Sequence, residues 1–332
     1  MAINVKSGLE NYSDEPRFHF DIYAILEGSQ ELFFGHETQV NVNIVETVII
    51  PLPGNDEETN GDDELEKCYL SPTKRRGVER RALIWAPTGN ELLGDTLNCG
   101  IPHTCSQAKC PICRVFGGLI TSPIDIETEP KGKPEKRPET TLIGRLTHSG
   151  GVAIQELGPE EKQRAMHPSM LTKDPGKEPT PTPFKREYNQ PGLLYPVYNH
   201  CLSMTEREFS AVAYAFMGAL ARLGAGNPKG VKIYDAPLIK EDVDEPWIVV
   251  DRYLAPLGKR PVVSPTIKDV EKAKKQFKAA AFSVAGRKKE AANELADGNF
   301  HRYIGDAAIA KLSEYLIKFE KGELNVDAEI GD

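Results

Sequence analysis

Four cysteines lie close together in the sequence, at Cys99, Cys105, Cys110 and Cys113. They end in a Cys-Pro-x-Cys turn, and such a turn brings two thiolates to the same tetrahedral zinc ion. Four cysteine ligands leave no open coordination position, and no neighbouring Glu pairs with a His in a hydrolase pattern, so we predict a structural zinc. A redox pair is the alternative chemistry, and His103, inside the cluster, could replace Cys105 as a ligand.

A strongly basic segment opens a predicted helix at Ser71–Arg81, because Ser followed by Pro is a good helix start. Cations in the first turn oppose the helix dipole, and like charges four residues apart repel each other. A bound polyanion would compensate both effects. The segment therefore predicts contacts with a nucleic-acid backbone, with an ordinary solvated basic face as the alternative. The contacting residues would be Lys74, Arg75, Arg76, Arg80 and Arg81.

A glycine-rich stretch, Gly218–Gly230, follows a second predicted helix. That helix starts with a capping box made by Thr205 and Glu208, and apolar residues then recur at helical spacing. The glycines and Pro228 cannot continue the helix, and a loop without side chains lets a bulky ligand approach its N–H groups. RNA contacts are predicted here, with a helix C-cap and turn as the alternative. The predicted residues are Arg222, Gly224, Gly226, Asn227, Lys229 and Gly230.

In the segment Phe184–Tyr188, aromatic residues are interleaved with cations. Such a pattern suits stacking on bases and holding phosphates, and it predicts RNA contacts by Lys185, Arg186 and Tyr188. Taken alone, the pattern is also typical of an ordinary loop. No Ser/His/Asp or Cys/His nucleophile arrangement stands out, so we predict no catalytic residue. The pair His36-Glu37 is the candidate if cleavage occurs, and exposed polar loop residues are the alternative reading.

The 332-residue chain carries a net charge of −8, which excludes a protein uniformly coated with basic groups. The segment Gly54–Glu66 holds seven acidic residues and no basic one, and we interpret it as a solvated, mobile loop. No signal peptide pattern opens the sequence, and no apolar run is long enough to span a bilayer. We therefore expect a cytoplasmic protein without membrane partners, in which clustered cysteines bind metal rather than form disulfides.

Hydrophobic periodicity predicts the remaining elements. Predicted strands cover 17–27, 39–50, a pair over 140–157, and Leu193–Leu202. The first two are predicted to be half-buried or alternating, and Val78, Ala82 and Trp85 would form the buried side of the basic helix. Predicted C-terminal helices cover 266–296 and 305–320. This order predicts an α+β fold, namely an antiparallel sheet with helices on one face.

Together these residues resemble the RAMP superfamily of CRISPR effector backbone subunits. The stretch Ser71–Arg81 is similar to the family's basic segment at the start of its first helix, and Gly224–Gly230 resembles its glycine loop. The zinc knuckle, Cys110–Gly117, is similar to the insertion in the major, Cas-seven-type subunit of type I-D Cascade. The glycine loop departs from the commonest form by carrying Asn227 and Pro228.

The resemblance implies a modified ferredoxin-like, RRM-like palm whose insertions form a thumb and a zinc-bearing lobe. Copies would stack head to tail along one CRISPR RNA and, with other Cascade subunits, present it for pairing with target DNA or target RNA. The basic helix start and the glycine loop would hold the ribose-phosphate chain. Phe184–Tyr188, as the thumb, would wedge between bases, and the flap Lys131–Arg137 would touch target or non-target DNA.

Two rival functions stay open from the sequence. One is a target-RNA-cleaving backbone subunit of the type III kind, with Glu37 or Asp21 as the acidic residue. The other is a stand-alone zinc-containing DNA-binding regulator, which would dimerise on a fixed duplex sequence.

The resemblance also implies a division of the chain into six parts. These are the first half of the palm with the acidic loop at 1–96, the zinc-binding insertion and flap at 97–140, the strand pair and thumb-like segment at 141–192, the second half of the palm with the glycine loop at 193–260, the C-terminal helical part at 261–321, and a disordered tail at 322–332.

Overall fold

The computed structural model describes most of the chain, namely residues 15–32, 34, 36–39, 42–52, 64–107, 110–126, 135–156, 160–165, 183–224, 230–284, 288–291, 294–297 and 299–321. Several sequence predictions concern residues outside this set. They are the acidic loop up to residue 63, the flap residues 127–134, the thumb-like segment at 166–182, and the tail after residue 321.

Six helices occur in these described parts of the chain. They are α1 (Pro72–Ile84), α2 (Leu93–Thr96), α3 (Pro111–Phe116), α4 (Glu206–Leu220), α5 (Val270–Ala281) and α6 (Asp306–Lys321). Ser71 is the N-cap residue of α1, as predicted, although its side chain makes no capping bond. The predicted capping box of α4 is confirmed, because Thr205 Oγ1 accepts from the Glu208 N–H and Glu208 Oε2 accepts from the Thr205 N–H.

The strands form one large sheet and several small ones. The first ten are β1 (Phe18–Gly28), β2 (His36–Gln39), β3 (Val42–Val45), β4 (Thr47–Pro51), β5 (Glu64–Leu70), β6 (Gly118–Ile120), β7 (Ile124–Ile126), β8 (Glu135–Arg137), β9 (Thr140–Leu142) and β10 (Leu146–His148). The next are β11 (Gly151–Val152), β12 (Glu160–Ala165), β13 (Pro183–Tyr188), β14 (Leu194–Met204), β15 (Val231–Ile233), β16 (Asp235–Pro237), β17 (Asp244–Pro246), β18 (Ile248–Tyr253), β19 (Lys288–Ala291), β20 (Glu294–Asp297) and β21 (Phe300–Ile304).

The large sheet has the strand order β10-β14-β1-β18-β21-β20-β19, and β15 pairs with the end of β1. β1 lies in its interior and is antiparallel to β14 and β18 on its two sides. The α+β class with an antiparallel sheet is therefore confirmed. A separate four-stranded sheet, β12-β13-β3-β2, contains the segment predicted as the thumb, and β11-β5-β4 form a third sheet.

Both faces of β1 are buried, which corrects the prediction of a half-buried strand. Phe20, Ile22 and Leu26 pack with α1, α4 and α6 on one face. Tyr23 and Ile25 belong to a second core, to which α5 contributes on the opposite face. The prediction of helices on one face is thus wrong for α5, because the second face also carries apolar side chains that need cover.

Three element predictions are wrong. The helix predicted at 266–296 ends at Ala281, and the hairpin β19-β20 extends the main sheet over part of the remainder. The strands in 140–157 do not pair with each other, because β10 pairs with β14 and β11 pairs with β5. Trp85 is 44% exposed, and the charged pair Arg75 and Glu79 takes up much of the buried face of α1. In each case tertiary contacts override the local pattern.

Among the helices of the described residues, none is long and apolar enough to cross a membrane.

Candidate nucleic-acid interface and metal centre

The four predicted zinc ligands form a buried cluster whose sulfur atoms all lie within 4.8 Å of one another. The Sγ atoms of Cys99 and Cys113 are 3.5 Å apart, and those of Cys105 and Cys113 are 3.6 Å apart. A tetrahedral ion with Zn–S bonds of about 2.3 Å separates its sulfurs by about 3.8 Å. Cys99, Cys105, Cys110 and Cys113 therefore fit a four-thiolate zinc site after shifts of at most about 1 Å between sulfurs.

The surroundings of the cluster support four cysteine ligands. His103 is exposed, whereas Cys105 is buried beside the other sulfurs, so the arrangement favours Cys105 over His103. The Cys105 N–H donates to Cys99 Sγ at 3.5 Å, which is the kind of bond that stabilises a metal-bound thiolate. A Cβ atom at Gly118 would lie 3.1 Å from Cys113 Sγ, so a side chain there would crowd the cluster.

The cluster is fixed to the main helical layer through α3, which starts immediately after Cys110. The Arg114 guanidinium donates to Glu208 Oε1 at the start of α4, with Nε–O and Nη2–O distances of 2.8 and 2.6 Å. Arg76 Nη2 of α1 donates to the Phe116 carbonyl at the end of α3. The metal centre, α1 and α4 therefore form one connected unit.

Arg75, predicted as a phosphate ligand, lies inside the protein and bonds to groups of the fold. It is 1% exposed, and its guanidinium donates to Asn199 Oδ1 at 2.6 Å and the Ser149 carbonyl at 2.9 Å, and pairs with Glu79 at 3.3 Å. Burial lowers the pKa of Arg75, and Glu79 opposes that shift. Burial by itself raises the pKa of Glu79, but His148, Arg75 and Asn199 together hold it below its usual range.

The other four predicted cations of α1 occupy two different sides of the helix. Lys74 and Arg81 are seven residues apart and lie on one side, which Trp85 continues one turn later. Arg76 and Arg80 are four residues apart on a second side, where burial and the neighbouring Arg80 charge lower the pKa of Arg76. Lys74 and Arg76 are exposed, and Arg80 and Arg81 are half-buried.

The side of α1 that bears Lys74 and Arg81 leads to the glycine-rich stretch. α1 packs against α4 near Ala82 and Gly218, and the Arg222 guanidinium lies 5.0 Å from the centre of the Trp85 ring. Both Trp85 and Arg222 are exposed. Arg222 and the aromatic ring thus form a cation–π platform at the C-terminal ends of the two helices.

Gly224 and Gly230 form the base of the predicted glycine loop, with φ values of +98° and +62°. A Cβ at Gly224 would lie 2.5 Å from Leu32 Cδ2, and one at Gly230 would lie 2.8 Å from the Ala221 Cα. Close packing therefore accounts for both glycines, which bring the chain back to the end of α4. The predicted contact residues Gly226, Asn227 and Lys229 lie outside the described residues.

The segment predicted to wedge between bases is strand β13, not a loop. It pairs with β12 and, in parallel, with β3, which places the backbone of Lys185 and Arg186 in the interior of the four-stranded sheet. Tyr188 is 8% exposed and packs with Val45, so most of its ring is covered by the protein itself. Its predicted stacking on RNA bases stays a prediction.

Sequence reasoning missed two groups of side chains. The exposed Trp85 was placed in the core because it fits the helical spacing of the apolar residues. Asp21 was considered only as a cleavage residue, yet it is 5% exposed inside β1 and accepts bonds from Tyr23, Tyr253 and His200. Tyr253 and His200 meet Asp21 only through the register of neighbouring strands, for which the sequence has no local signal.

No family model matches the chain, and no curated protein matches it either. The solved structures to which it is similar include Csc2 from Thermofilum pendens, at 14% identity and a TM-score of 0.40 over 84% of this chain and 79% of that one. A chain of a CRISPR RNA-guided surveillance complex aligns at 11% identity and a TM-score of 0.39, covering 89% of this chain and 99% of that one. A type IV-B CRISPR complex aligns at 14% identity and a TM-score of 0.36, covering 76% of this chain and 98% of that one. All three TM-scores lie below 0.5.

Proposed function

We propose that the chain is a CRISPR RNA-binding backbone subunit of a type I-D Cascade-like interference complex. In this role, copies polymerise head to tail along the guide RNA and present it for pairing with target nucleic acid. The large sheet with its helices corresponds in this proposal to a modified ferredoxin-like, RRM-like palm. The four-cysteine cluster holds a structural zinc, and the subunit itself is not an enzyme.

The observation that carries the proposal is the continuous side of α1 that joins the basic helix start to the glycine loop. Lys74, Arg81 and the Trp85–Arg222 platform follow one another over a helix of 13 residues, roughly 20 Å long. Cations that alternate with an exposed aromatic ring suit a single strand, whose phosphates and bases can contact them in turn. The strand would then reach Gly224 at the base of the loop.

A second observation concerns Arg80. Its Nε and Nη2 atoms are buried and have no hydrogen-bond partner among the described residues. Unpaired buried donors are costly, and the positive charge of Arg76 one turn away adds repulsion. A phosphate oxygen on this side of α1 would offset the repulsion, and it would pair the free donors once the Arg80 side chain turned outward. Phosphate contacts and stacking on an aromatic ring carry no sequence information, so the predicted binding is independent of sequence.

The proposal is tested by measuring RNA binding to the full-length protein. Fluorescence anisotropy with a labelled single-stranded RNA of arbitrary sequence gives Kd over a series of salt concentrations. The double charge reversal Lys74→Glu and Arg81→Glu should weaken binding and reduce the slope of log Kd against log salt by about 1.4, or about 0.7 for each lost phosphate contact.

A matched control is the double reversal Lys272→Glu and Lys275→Glu on α5. It changes the net charge by the same amount, at exposed positions on the opposite face of the sheet. The control should leave the slope unchanged. If both double variants weaken binding equally, only the net charge matters, and the assigned surface is wrong. RNA that is cut during the assay in the presence of Mg²⁺ would instead favour the cleaving subunit, and preference for one duplex sequence would favour the regulator.

A further inference from the structure

A row of polar side chains crosses the middle of the large sheet. Strand register places Thr147, His200, Asp21, Asp251 and Arg302 directly opposite one another on β10, β14, β1, β18 and β21. Residues opposite each other point to the same face, and this is the face away from α1, α4 and α6. The other side chains of this face are mainly aromatic or aliphatic. Packing alone gives no reason for a polar row at this position.

One half of the row is closed. Arg302 and Asp251 are 1% and 2% exposed and form a two-pronged ion pair, with Nε–Oδ1 and Nη2–Oδ2 distances of 2.7 and 2.6 Å. Arg302 Nη1 also donates to the carbonyls of Ala280 and Ala281 at the end of α5. Arg302 and Asp251 therefore bond to each other and to the end of α5, and their role is to stabilise the fold.

The other half of the row is open. The buried Asp21 carboxylate accepts from the hydroxyl groups of Tyr23 and Tyr253 at 2.7 and 3.0 Å, and from His200 Nδ1 at 2.5 Å. Because a carboxylate accepts, Nδ1 donates, and the carboxylate fixes the orientation of the imidazole. The side chain of His200 is 35% exposed, and no bond of Nε2 is found among the described residues. His200 Nε2 therefore has a fixed direction and can accept a hydrogen bond from a ligand.

His200 lines a cavity of about 320 Å³ above this half of the row. The walls include the rings of Tyr198, Tyr253 and Phe300, and the segment after β18 contributes Arg260 at the rim. The Arg260 guanidinium lies 4.7 Å from the centre of the Tyr198 ring and is exposed to solvent. At about 30 Å³ for each water, the cavity has room for about ten water molecules, which is ample space for one planar nucleobase.

The chemistry of the cavity selects among classes of ligand. A divalent cation is disfavoured, because the oxygens of Asp21 and Asp251 are already occupied by hydroxyl, imidazole and guanidinium donors. A purely apolar ligand would leave His200 without a partner. The parts of the aromatic rings that line the cavity, one oriented ring nitrogen and a cation at the rim match an unpaired base with its phosphate. Such bases are stacked on aromatic rings and hydrogen-bonded on their edges.

We propose that this sheet-face pocket binds one unpaired nucleobase of a single-stranded RNA, with His200 Nε2 at the base edge and Arg260 at the adjoining phosphate. The inference rests on the proposed RNA-binding function and adds a base-binding site on the face of the sheet opposite α1. It places the strand near both faces of the sheet, so RNA that follows α1 would turn around the edge at β10.

The pocket can be blocked without disturbing the core. Thr147 is exposed on the edge strand β10, beside His200, and Thr147→Trp places a large ring across the mouth. Thr141→Trp on β9 is the matched control, because Thr141 is also an exposed strand residue but does not line the pocket. Thermal unfolding of both variants verifies that they fold.

The first readout is saturation-transfer difference NMR with AMP, CMP, GMP and UMP. Wild-type protein and Thr141→Trp should saturate the base protons more strongly than the ribose protons, and Thr147→Trp should lose this signal. Arg260→Gln should weaken binding of the monophosphates and leave the binding of nucleosides unchanged. Base protons that stay unsaturated in the wild type, or signals that are equal in the two Trp variants, overturn the inference.

The second readout separates this inference from the proposed function. With a labelled single-stranded RNA, the loss of one stacked base corresponds to about a tenfold increase in Kd. Thr147→Trp should show this increase, and Thr141→Trp should stay within about twofold of the wild type. If the RNA binds but the two variants agree, only the pocket assignment fails. If mononucleotides bind in the pocket but long RNA does not bind at all, the proposed function fails.

Discussion

Lys67 is a buried cation whose three protons all reach backbone carbonyls. It is 1% exposed, and Nζ donates to the carbonyl oxygens of Ile154, Pro265 and Ile267 at 2.9, 2.8 and 2.6 Å. Lys67 therefore joins strand β5 to the segment that precedes α5. Burial lowers the pKa of Lys67 from its ordinary 10.5 to about 8, and Glu156 opposes this shift.

This pKa gives the stability a specific dependence on pH. Between about pH 8 and 10.5 the unfolded chain binds more protons at Lys67 than the folded chain does, so the free energy of unfolding rises with pH in this window. Lys67→Met removes the titrating group. The difference in unfolding free energy, wild type minus variant, should therefore increase from pH 8 to 10.5 in urea titrations. A flat or decreasing difference would contradict the burial of a charged amine.

The Arg302–Asp251 pair gives a second prediction for single residues. Arg302→Met leaves the Asp251 carboxylate buried without a cation and removes a donor from the end of α5. We expect a loss of about 3–5 kcal/mol in the free energy of unfolding. The double variant Arg302→Met with Asp251→Asn should recover part of it, because the amide is neutral. Urea denaturation measures both, and a double variant no more stable than the single one would count against this explanation.

At the scale of elements, the N-terminus of α4 connects several parts of the fold. The carboxylate of Glu208 is 2% exposed and completes the capping box. It also pairs with Arg17 at 3.1 Å and with Arg114 at 2.6 Å, and Arg145 Nε is 4.0 Å away. One carboxylate thus links the start of β1, helix α3 beside the cysteine cluster and the segment before β10 to α4.

Two substitutions distinguish the contribution of the helix cap to stability from that of the Glu208 charge. Thr205→Ala removes the capping oxygen and should cost about 1 kcal/mol of stability. Glu208→Gln keeps a side chain of the same size but leaves three guanidinium groups without their carboxylate, and should cost about 3 kcal/mol. Chemical denaturation compares the two. Equal losses would mean that Glu208 acts only as a cap.

Elements that depend on neighbouring residues could be predicted from the sequence, and elements that depend on distant partners could not. The capping box of α4 and the start of α1 depend on residues within one helical turn, and both were predicted at the correct residues. The hairpin β19-β20 was predicted as helix, because its Lys, Glu and Ala residues favour helices unless a sheet edge pairs with them. In α1, the buried partners of Arg75 lie on β14 and before β11, far away in the sequence.

For the molecule as a whole, sites built from residues close together in the sequence could be predicted, and sites built from distant strands could not. The four cysteines lie within one short segment, so their spacing alone indicated the cluster. The polar row from Thr147 to Arg302 draws on five strands that are distant in sequence, and only the register of the sheet assembles it. The net charge of −8 likewise gives no indication that cations line one side of α1.

Metal removal tests how far the cysteine cluster supports the whole molecule. The protein should contain one zinc per chain, and Cys113→Ser should reduce that content sharply, whereas Cys201→Ser, a buried cysteine outside the cluster, should retain it. Because α3 is tied to α1 and α4 through Arg76 and Arg114, chelation should lower the Tm of the entire chain by roughly 10 °C. Metal analysis and calorimetry with and without a chelator measure both effects. A full zinc content in Cys113→Ser would rule out this ligand set, and an unchanged Tm after zinc loss would show that the lobe is independent of the helical layer.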